Sequence, residues 1–277
     1  MTYRQLLKSS IASHQQYSAE IQLLMLAYCQ QQAEDLYANY DQEVPDAFLA
    51  KYEAGLARIV QDEPLAYILG YEPFYGYDIL VDRRALIPRP ETEELVNEVL
   101  MLLDDKKEVD QLQGLDLGTG SGAIAVVLAL EDQRVKMVAS DISSAALALA
   151  QENINKFQVD VTLLESDLFK QIPKDVKFDF IVCNPPYIKD AEILEKSVYD
   201  YEPHQALYGG KDGLYFYEKV LAQAKSYLKD TSFLAFEIGY DQGERLLALA
   251  LNYYPNSEVL IKKDINGKDR FLIIQIN

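Results

Sequence analysis

The hydrophobic residues in the first quarter of the chain recur at a helical period. Ile21, Leu24, Met25 and Tyr28 fall on one face of a helix, and similar stripes occur elsewhere in residues 1–70. Helix-interrupting features separate these stripes near residue 18, at 44–46 and at 62–64. The pattern predicts an N-terminal domain made of four or five helices. We expect its apolar stripes to form a bundle core rather than a cofactor site.

Strand-forming residues replace the helical pattern after residue 70. Tyrosine, phenylalanine, isoleucine and valine are frequent from 71 to 82, and Gly76 can turn the chain. We therefore predict a β-hairpin within a linker formed by residues 71–85. Residues 87–95 then predict a helix from about Glu91, with acidic residues suitably placed in its first turn. This segment is either a capped helix start or also a wall of a ligand cleft.

Strands and helices alternate over the remaining residues, 86–277. Such alternation is typical of an α/β domain, in which a largely parallel sheet is covered by helices on both faces. The predicted strands are residues 113–117, 135–140, 161–165, 178–183, 232–237, 258–262 and 270–276.

Composition and charge narrow the possible partners. The 277 residues include 49% hydrophobic and 25% charged residues, as in an ordinary globular protein of one or two domains. The net charge is −18, which argues against direct nucleic-acid binding because that requires clustered lysine and arginine. A small molecule or a basic protein remains a suitable partner, although the acidity is equally compatible with a role in solubility alone.

Cysteine and histidine are scarce. Cys29 and Cys183 are the two cysteines, too few for a disulfide framework, and this favours a reducing cytoplasm. With only two histidines as well, we expect no metal site. The sequence has no signal peptide pattern and no apolar run of about 18 residues, so we expect no membrane association.

A glycine-rich loop follows the first predicted strand of the α/β domain. Gly118, Thr119, Gly120, Ser121 and Gly122 precede an apolar helix, and the glycines allow the backbone to turn sharply and approach a ligand closely. The spacing is G-x-G-x-G rather than the G-x-G-x-x-G of dinucleotide enzymes, and no Walker lysine is present. By itself the loop could bind NAD, FAD or a methyl-donor nucleoside, or form a plain turn. We predict that all five residues bind a cofactor.

Acidic residues end the next two predicted strands. Asp141 could accept hydrogen bonds from ribose hydroxyls, or instead cap the following helix. Asp167 could accept from an adenine amino group while Leu168 covers the ring, the alternative being a polar loop with one buried leucine. We predict that Asp141, Asp167 and Leu168 bind the cofactor.

The tetrapeptide Asn184-Pro185-Pro186-Tyr187 follows the most apolar strand, where open α/β sheets bind ligands. The prolines end the strand because they cannot donate to a sheet ladder. The Asn184 side-chain oxygen and the Pro185 carbonyl could hold a planar NH2 group and stabilise positive charge that develops on its nitrogen. Tyr187 could supply an apolar face. We predict that the four residues are catalytic, with Asn184 also beside the cofactor.

Two other side chains near this motif could suggest different chemistry. Cys183 has no histidine nearby in sequence to activate it, so we expect a buried strand cysteine rather than a nucleophile. His204 could be a base, but we expect an exposed loop histidine.

Together these motifs resemble the HemK/PrmC family, whose members methylate the side-chain amide nitrogen of a glutamine in class I peptide-chain release factors. Residues 86–93 look like the linker signature of that family, and 201–214 and 237–239 are similar to its later segments. The tetrapeptide alone is shared with DNA adenine and ribosomal-RNA methyltransferases. The linker and the segment 201–214 make the resemblance specific.

The resemblance implies a fold and an activity. The fold would be a class I S-adenosyl-L-methionine-dependent methyltransferase, a Rossmann-like seven-stranded mixed sheet, with residues 1–70 recognising the substrate protein. Gly118–Gly122 would form the methionine-binding loop, with Asp141 at the ribose and Leu168 at the adenine position. The implied substrate is the glutamine N5 of the Gly-Gly-Gln motif in release factors. Alternatives are a ribosomal-protein glutamine methyltransferase, a nucleic-acid adenine N6-methyltransferase, and a binding module without turnover.

Overall fold

The computed structural model describes residues 1–106 and 108–276. The chain forms two compact units. The first comprises Met1–Tyr71 and Leu194–Tyr201, and the second comprises Glu72–Ile193 and the chain from Glu202 onward.

The described residues form ten α-helices and nine β-strands. The helices are α1 (Tyr3–Ser13), α2 (Ser18–Gln31), α3 (Asp46–Ile59), α4 (Leu65–Leu69), α5 (Pro90–Asp104), α6 (Ala123–Glu131), α7 (Ser144–Phe157), α8 (Lys196–Tyr201), α9 (Tyr215–Ala224) and α10 (Gly243–Tyr253). The strands are β1 (Tyr71–Phe74), β2 (Tyr77–Leu80), β3 (Leu112–Leu117), β4 (Val135–Asp141), β5 (Val161–Glu165), β6 (Phe178–Cys183), β7 (Leu228–Glu237), β8 (Glu258–Lys263) and β9 (Asp269–Ile276).

The first unit is a helical bundle, as the apolar stripes predict. Leu24 and Met25 of α2 pack with Phe48 and Tyr52 of α3 in one buried core. The Thr2 hydroxyl caps α1 in a reciprocal arrangement with Gln5, which satisfies backbone N–H groups that have no partner within the helix. Helices α1 to α4 match the lower predicted number.

The short helix α8 belongs to the first unit, although the sequence places it in the predicted domain 86–277. Lys196 forms an ion pair with Asp62 over 3.3 Å, and the Tyr201 hydroxyl donates to the Gln61 carbonyl over 2.9 Å. These contacts join residues more than a hundred positions apart, so the local sequence pattern carries no sign of them.

Strands β1 and β2 form a separate two-stranded hairpin where the sequence predicts one. Tyr75 and Gly76 join them, both with positive φ (52° and 82°). Two such residues are typical of the two-residue turn whose twist matches that of the flanking strands.

The second unit contains the predicted mixed sheet of seven strands, in the order β5-β4-β3-β6-β7-β9-β8. Neighbouring strands are parallel except that β9 runs antiparallel to β7 and β8. Strand β7 begins at Leu228, four residues before the predicted start, because Leu228 pairs with Phe178 beyond a register irregularity.

The connections of this sheet determine where a ligand can bind. All six residues of β6 are buried, as expected for a central strand. The order of the strands reverses direction between β3 and β6, and a crevice opens outside the carboxyl ends of strands at such a point. Within the described residues, none of the helices has the length and apolarity needed to span a bilayer.

Candidate active site

A cavity lies at the carboxyl ends of β3, β4, β5 and β6. Its empty volume, including space open to solvent, is about 990 Å³. The predicted site residues that line it are Gly118, Gly120, Asp141, Asp167, Leu168, Asn184, Pro185 and Pro186. The structure therefore gathers residues from four strand ends around one space.

The glycine loop presents its backbone to this cavity. The N–H groups of Gly118 and Thr119 both donate to the Ser140 carbonyl, over 2.8 and 2.9 Å, which ties the loop to β4. Gly118 has a φ of 76°, and a Cβ added there would meet no protein atom within 4 Å. Because Gly118 lines the cavity, that open space is available to a ligand.

Three of the five predicted loop residues shape the loop rather than the cavity wall. The Thr119 hydroxyl donates to Asp116 Oδ2 over 2.6 Å. The Ser121 carbonyl accepts from Asn153 Nδ2 over 2.9 Å, and Gly122 is the N-cap of α6. Gly118 and Gly120 thus line the cavity, and Thr119, Ser121 and Gly122 shape the loop that presents them.

Asp141 serves the loop and faces the cavity at the same time. Its Oδ2 accepts from the Gly120 N–H and its Oδ1 from the Ser143 N–H, both over 2.9 Å. The helix cap suggested for Asp141 is provided by Ser143, whose hydroxyl accepts from the Ala146 N–H. Burial raises the pKa of Asp141, and these backbone hydrogen bonds oppose the rise. Each carboxylate oxygen keeps a second lone pair for a ribose hydroxyl.

Asp116 is a buried acid directly before the glycine loop, and its own role is not predicted from the sequence. It is fully buried, and its Oδ1 has no hydrogen-bond partner among the described residues. Burial raises its pKa to about 7. Asp116 does not line the cavity, and its contact with the Thr119 hydroxyl makes it a support of the glycine loop.

The predicted adenine pair differs in its details from the sequence-based expectation. Asp167 forms an ion pair with Lys170 over 2.6 Å, so part of its charge is already neutralised. Leu168 has a φ of 51°, which is unfavourable for a residue with a Cβ. The Ser166 hydroxyl donates to the Leu168 carbonyl over 2.6 Å and holds this conformation. Strain of this kind is most often retained where a side chain serves a ligand.

The Asn184 carboxamide is held by Thr92 of α5 and, through Thr92, by Glu237 of β7. Its Nδ2 donates to Thr92 Oγ1 over 3.1 Å. The Thr92 hydroxyl, in the first turn of α5, donates to Glu237 Oε2 at the end of β7 over 2.6 Å. With Nδ2 engaged in this way, Oδ1 is the part of the amide left to accept from a ligand.

Tyr187 is anchored rather than open to the cavity. Its hydroxyl donates to Glu237 Oε1 over 3.3 Å, and its ring packs against the core of the second unit. Burial raises its pKa, and the neighbouring Glu237 carboxylate adds to the rise. The tyrosine hydroxyl is thus a donor and not a base at neutral pH.

The segment 201–214 braces the tetrapeptide. Gln242 Nε2 donates to the Tyr187 carbonyl over 3.1 Å and to the Gly213 carbonyl over 3.3 Å, so it links the tetrapeptide to this segment. Gly209 lies so close that an added Cβ would overlap the Pro186 carbonyl. Glu202 accepts from the Ile87 N–H and pairs with Arg89, which joins this segment to the linker signature.

Cys183 and His204 have the environments that the sequence predicts. Cys183 is buried, and burial raises its thiol pKa well above the ordinary value, which excludes an easily formed thiolate. His204 is exposed. Among the described residues, no group of three or more histidine, cysteine, aspartate or glutamate side chains is arranged to hold a metal ion.

The charges on the cavity wall fit a cationic nucleoside better than a dinucleotide. The charged lining residues are Asp141, Asp167 and Arg84. Arg84 is bound by Asp82 and Glu152, each over 2.7 Å, so it offers little positive charge to a pyrophosphate. Apolar lining by Ile142, Leu168 and Phe216 suits a planar base. The residues present therefore fit S-adenosyl-L-methionine.

Fold and site together define a class I S-adenosyl-L-methionine-dependent methyltransferase, and a solved structure supports the fold. A methyltransferase from Pyrococcus furiosus superimposes with a TM-score of 0.55 at 20% identity, covering 79% of this chain and 96% of that one. Two family models match parts of the chain: the methyltransferase small domain over residues 97–200 and the PrmC N-terminal domain over residues 3–70.

Curated relatives give the particular family. The release factor glutamine methyltransferase of Staphylococcus aureus is 35% identical over 98% of both chains. That of Lactococcus lactis is 43% identical over 79% of both chains. The chain belongs to the release factor glutamine methyltransferase family.

The side chains that hold Asn184 and Tyr187 are the part of the site that sequence reasoning missed. Thr92 lies in the predicted linker signature and Glu237 in a segment similar to the family, but neither has a predicted role. Their contacts with the tetrapeptide span 92 and 50 positions. The one local signal for this role is the position of Glu237, a polar side chain at the end of a buried strand.

Proposed function

We propose that this protein transfers the methyl group of S-adenosyl-L-methionine to the side-chain amide nitrogen, N5, of the glutamine in the Gly-Gly-Gln motif of class I release factors. The observation that carries the proposal is the Asn184 carboxamide at the cavity wall, with its nitrogen engaged by Thr92 and its oxygen left as an acceptor. Family membership identifies the substrate protein as a release factor.

The acceptor amide needs orientation more than it needs a base. Its nitrogen lone pair is delocalised, and the nitrogen gains positive charge when it bonds to the methyl carbon. The bond from that carbon to sulfur would break at the same time, leaving a neutral thioether, and loss of one N–H proton would restore a neutral amide. Asn184 Oδ1 and the Pro185 carbonyl are the groups that would accept its two hydrogens, fix its plane and stabilise that charge. Holding the reacting groups in one geometry is worth roughly 7–11 kcal/mol at best.

The donor is held by the opposite wall. Gly118 and Gly120 would face the methionine part, Asp141 the ribose and Leu168 the adenine. When bound, S-adenosyl-L-methionine supplies a methyl group activated by a positively charged sulfur. Asp141 and Asp167 are the acidic side chains of this wall, and Asp141, which has no ion pair with a lysine or arginine among the described residues, favours a positively charged ligand.

Methyl transfer to defined acceptors tests the proposal. The protein is incubated with labelled S-adenosyl-L-methionine and, separately, with a class I release factor, ribosomal proteins and DNA, and the modified residue is located by mass spectrometry. We expect label on the release-factor glutamine and none on a release factor in which that glutamine is replaced. Transfer to ribosomal-protein glutamine or to adenine instead would contradict the proposal. The charge of −18 favours the protein substrate over nucleic acid.

The helical bundle is the part that we propose binds the release factor away from its glutamine. Leu23 and Tyr37 are apolar side chains that are 53% and 70% exposed in this unit, and such side chains commonly anchor protein partners. Replacing both with serine should raise the KM for the release factor while the affinity for S-adenosyl-L-methionine stays unchanged. An unchanged KM would remove these residues from the interface.

A further inference from the structure

A buried chain of hydrogen bonds connects the two ends of the Asn-Pro-Pro-Tyr tetrapeptide. It runs from Asn184 Nδ2 to Thr92 Oγ1 (3.1 Å) and from the Thr92 hydroxyl to Glu237 Oε2 (2.6 Å). The other oxygen of the same carboxylate accepts from the Tyr187 hydroxyl (3.3 Å). Thr92 is 4% exposed and Glu237 is 1% exposed, and both lie outside the cavity lining, so any effect on the reaction must pass through Asn184 or Tyr187.

We propose that Thr92 and Glu237 are positioning residues that fix the orientation of the Asn184 carboxamide, so that its oxygen and not its nitrogen faces the methyl acceptor. The inference rests on the proposed function, because this orientation matters only if the acceptor is an NH2 group.

The number of protons available in this series of hydrogen bonds fixes which group donates at each step. A threonine hydroxyl has one proton, and Thr92 gives it to the Glu237 carboxylate. The hydroxyl can then only accept from Asn184, and only the Nδ2 end of a carboxamide can donate. A reversed amide would set Oδ1 against the lone pairs of Thr92 and would turn Nδ2, a donor, toward the NH2 of the acceptor.

Two hydroxyl donors and a cation face the Glu237 carboxylate. Burial raises its pKa overall and the Glu91 carboxylate adds to the rise, while the Thr92 hydroxyl, the Arg270 guanidinium and the Tyr187 hydroxyl oppose it. Arg270 is itself fixed by an ion pair with Asp264 over 3.2 Å and a hydrogen bond to the Ile238 carbonyl. The cation therefore stays close to Glu237 and favours its ionised form.

Substitutions at Thr92 separate this role from simple packing. Thr92→Val keeps the shape and removes the hydroxyl, so kcat for methyl transfer should fall about 10- to 100-fold, as expected when a reacting group is misplaced by a distant change. The dissociation constant of S-adenosyl-L-methionine and the KM for the release factor should stay within about twofold. Thr92→Ser retains the hydroxyl and should recover most of the loss. Thr92→Ala, which needs less space, replaces the valine variant if that variant does not fold.

A double-mutant cycle gives the decisive measurement, with single-turnover rates for wild type, Thr92→Val, Asn184→Ala and the double variant. If Thr92 acts through Asn184, removing the hydroxyl in the Asn184→Ala background should change the rate by less than about threefold. Thr162→Val, at an exposed position on β5, is the matched control and should leave the rate unchanged.

The outcomes distinguish this inference from the proposed function. Wild-type activity in both hydroxyl-free variants, or a loss that multiplies in full with that of Asn184→Ala, would overturn the positioning role. Failure of the wild type itself to methylate the release-factor glutamine would instead overturn the proposed function.

Discussion

The cavity has a donor wall (Gly118, Gly120, Asp141, Asp167 and Leu168) and an acceptor wall (Asn184, Pro185 and Pro186). The contacts that build the two walls differ greatly in the sequence separation of the residues they join. On the donor wall, Thr119 binds Asp116 three positions away, and Gly120 binds Asp141 21 positions away. On the acceptor wall, Asn184 binds Thr92 across 92 positions, and Thr92 binds Glu237 across 145. The donor wall is thus complete once the neighbouring strands β3, β4 and β5 have paired, whereas the acceptor wall also needs α5 and β7 in place. We therefore expect substitutions on the donor wall to weaken the binding of S-adenosyl-L-methionine, and substitutions on the acceptor wall to lower the rate of methyl transfer.

Asn184→Ala should produce the largest change and the cleanest separation of the two walls. Removing one preorganised group that stabilises developing charge should lower the single-turnover rate about 10²–10³-fold. The affinity for S-adenosyl-L-methionine, measured by calorimetry, should fall much less than the rate, because Gly118, Gly120 and Asp141 stay in place. A rate near that of the wild type would show that residue 184 does not stabilise the reacting amide.

Gly209→Ala should cause the next largest loss of activity, although residue 209 does not line the cavity. An added Cβ would overlap the Pro186 carbonyl, so the tetrapeptide must shift. A displacement of this kind should lower kcat on the order of tenfold or more. Gly267→Ala is the control, because a Cβ there meets nothing within 4 Å and only the positive φ opposes it. Equal kcat values for the two variants would count against long-range support of the acceptor wall.

The contrast between local and long-range contacts also explains which parts of the fold and of the site can be predicted from the sequence. The hydrophobic pattern is sufficient for the seven strands, the hairpin and the bundle, because burial on one or both faces is a local property of each element. The glycine loop and Asp141 are recognisable for the same reason, since their contacts are local or join adjacent strands.

The acceptor wall shows where such reasoning stops. Asn184 is recognisable from its tetrapeptide, but its orientation depends on Thr92 and Glu237, and these side chains meet only in the folded domain. The placement of α8 with the first unit is a second case, since it depends on Asp62 and Gln61. Local sequence patterns predict elements and their ends, and they do not predict which distant side chains support a site.

Gly118→Ala should mainly affect donor binding. The new methyl group would extend into the cavity rather than into protein, because nothing lies within 4 Å of it. We expect the affinity for S-adenosyl-L-methionine to fall about tenfold, and the folded state to lose about 1–2 kcal/mol because a residue with a Cβ is strained at positive φ. Calorimetry and thermal unfolding measure the two effects. Unchanged affinity would place the cofactor away from the loop.

The pH dependence of stability tests, without any ligand, the buried acid that supports the glycine loop. The pKa of Asp116 is about 7 in the folded protein and near its ordinary 3.8 when unfolded, so the folded state holds the extra proton between these values. Stability should therefore be highest, as far as this group is concerned, below about pH 4 and should fall as the pH rises toward 7, by at most ~1.4 kcal/mol per unit. Asp141 and Glu237, whose pKa values burial also raises, add slopes of the same sign.

Asp116→Asn keeps an acceptor for Thr119 and removes only the charge, so the difference between its unfolding free energies and those of the wild type isolates Asp116. If the two proteins show the same slope between pH 5 and 7, Asp116 does not hold the extra proton of the folded state.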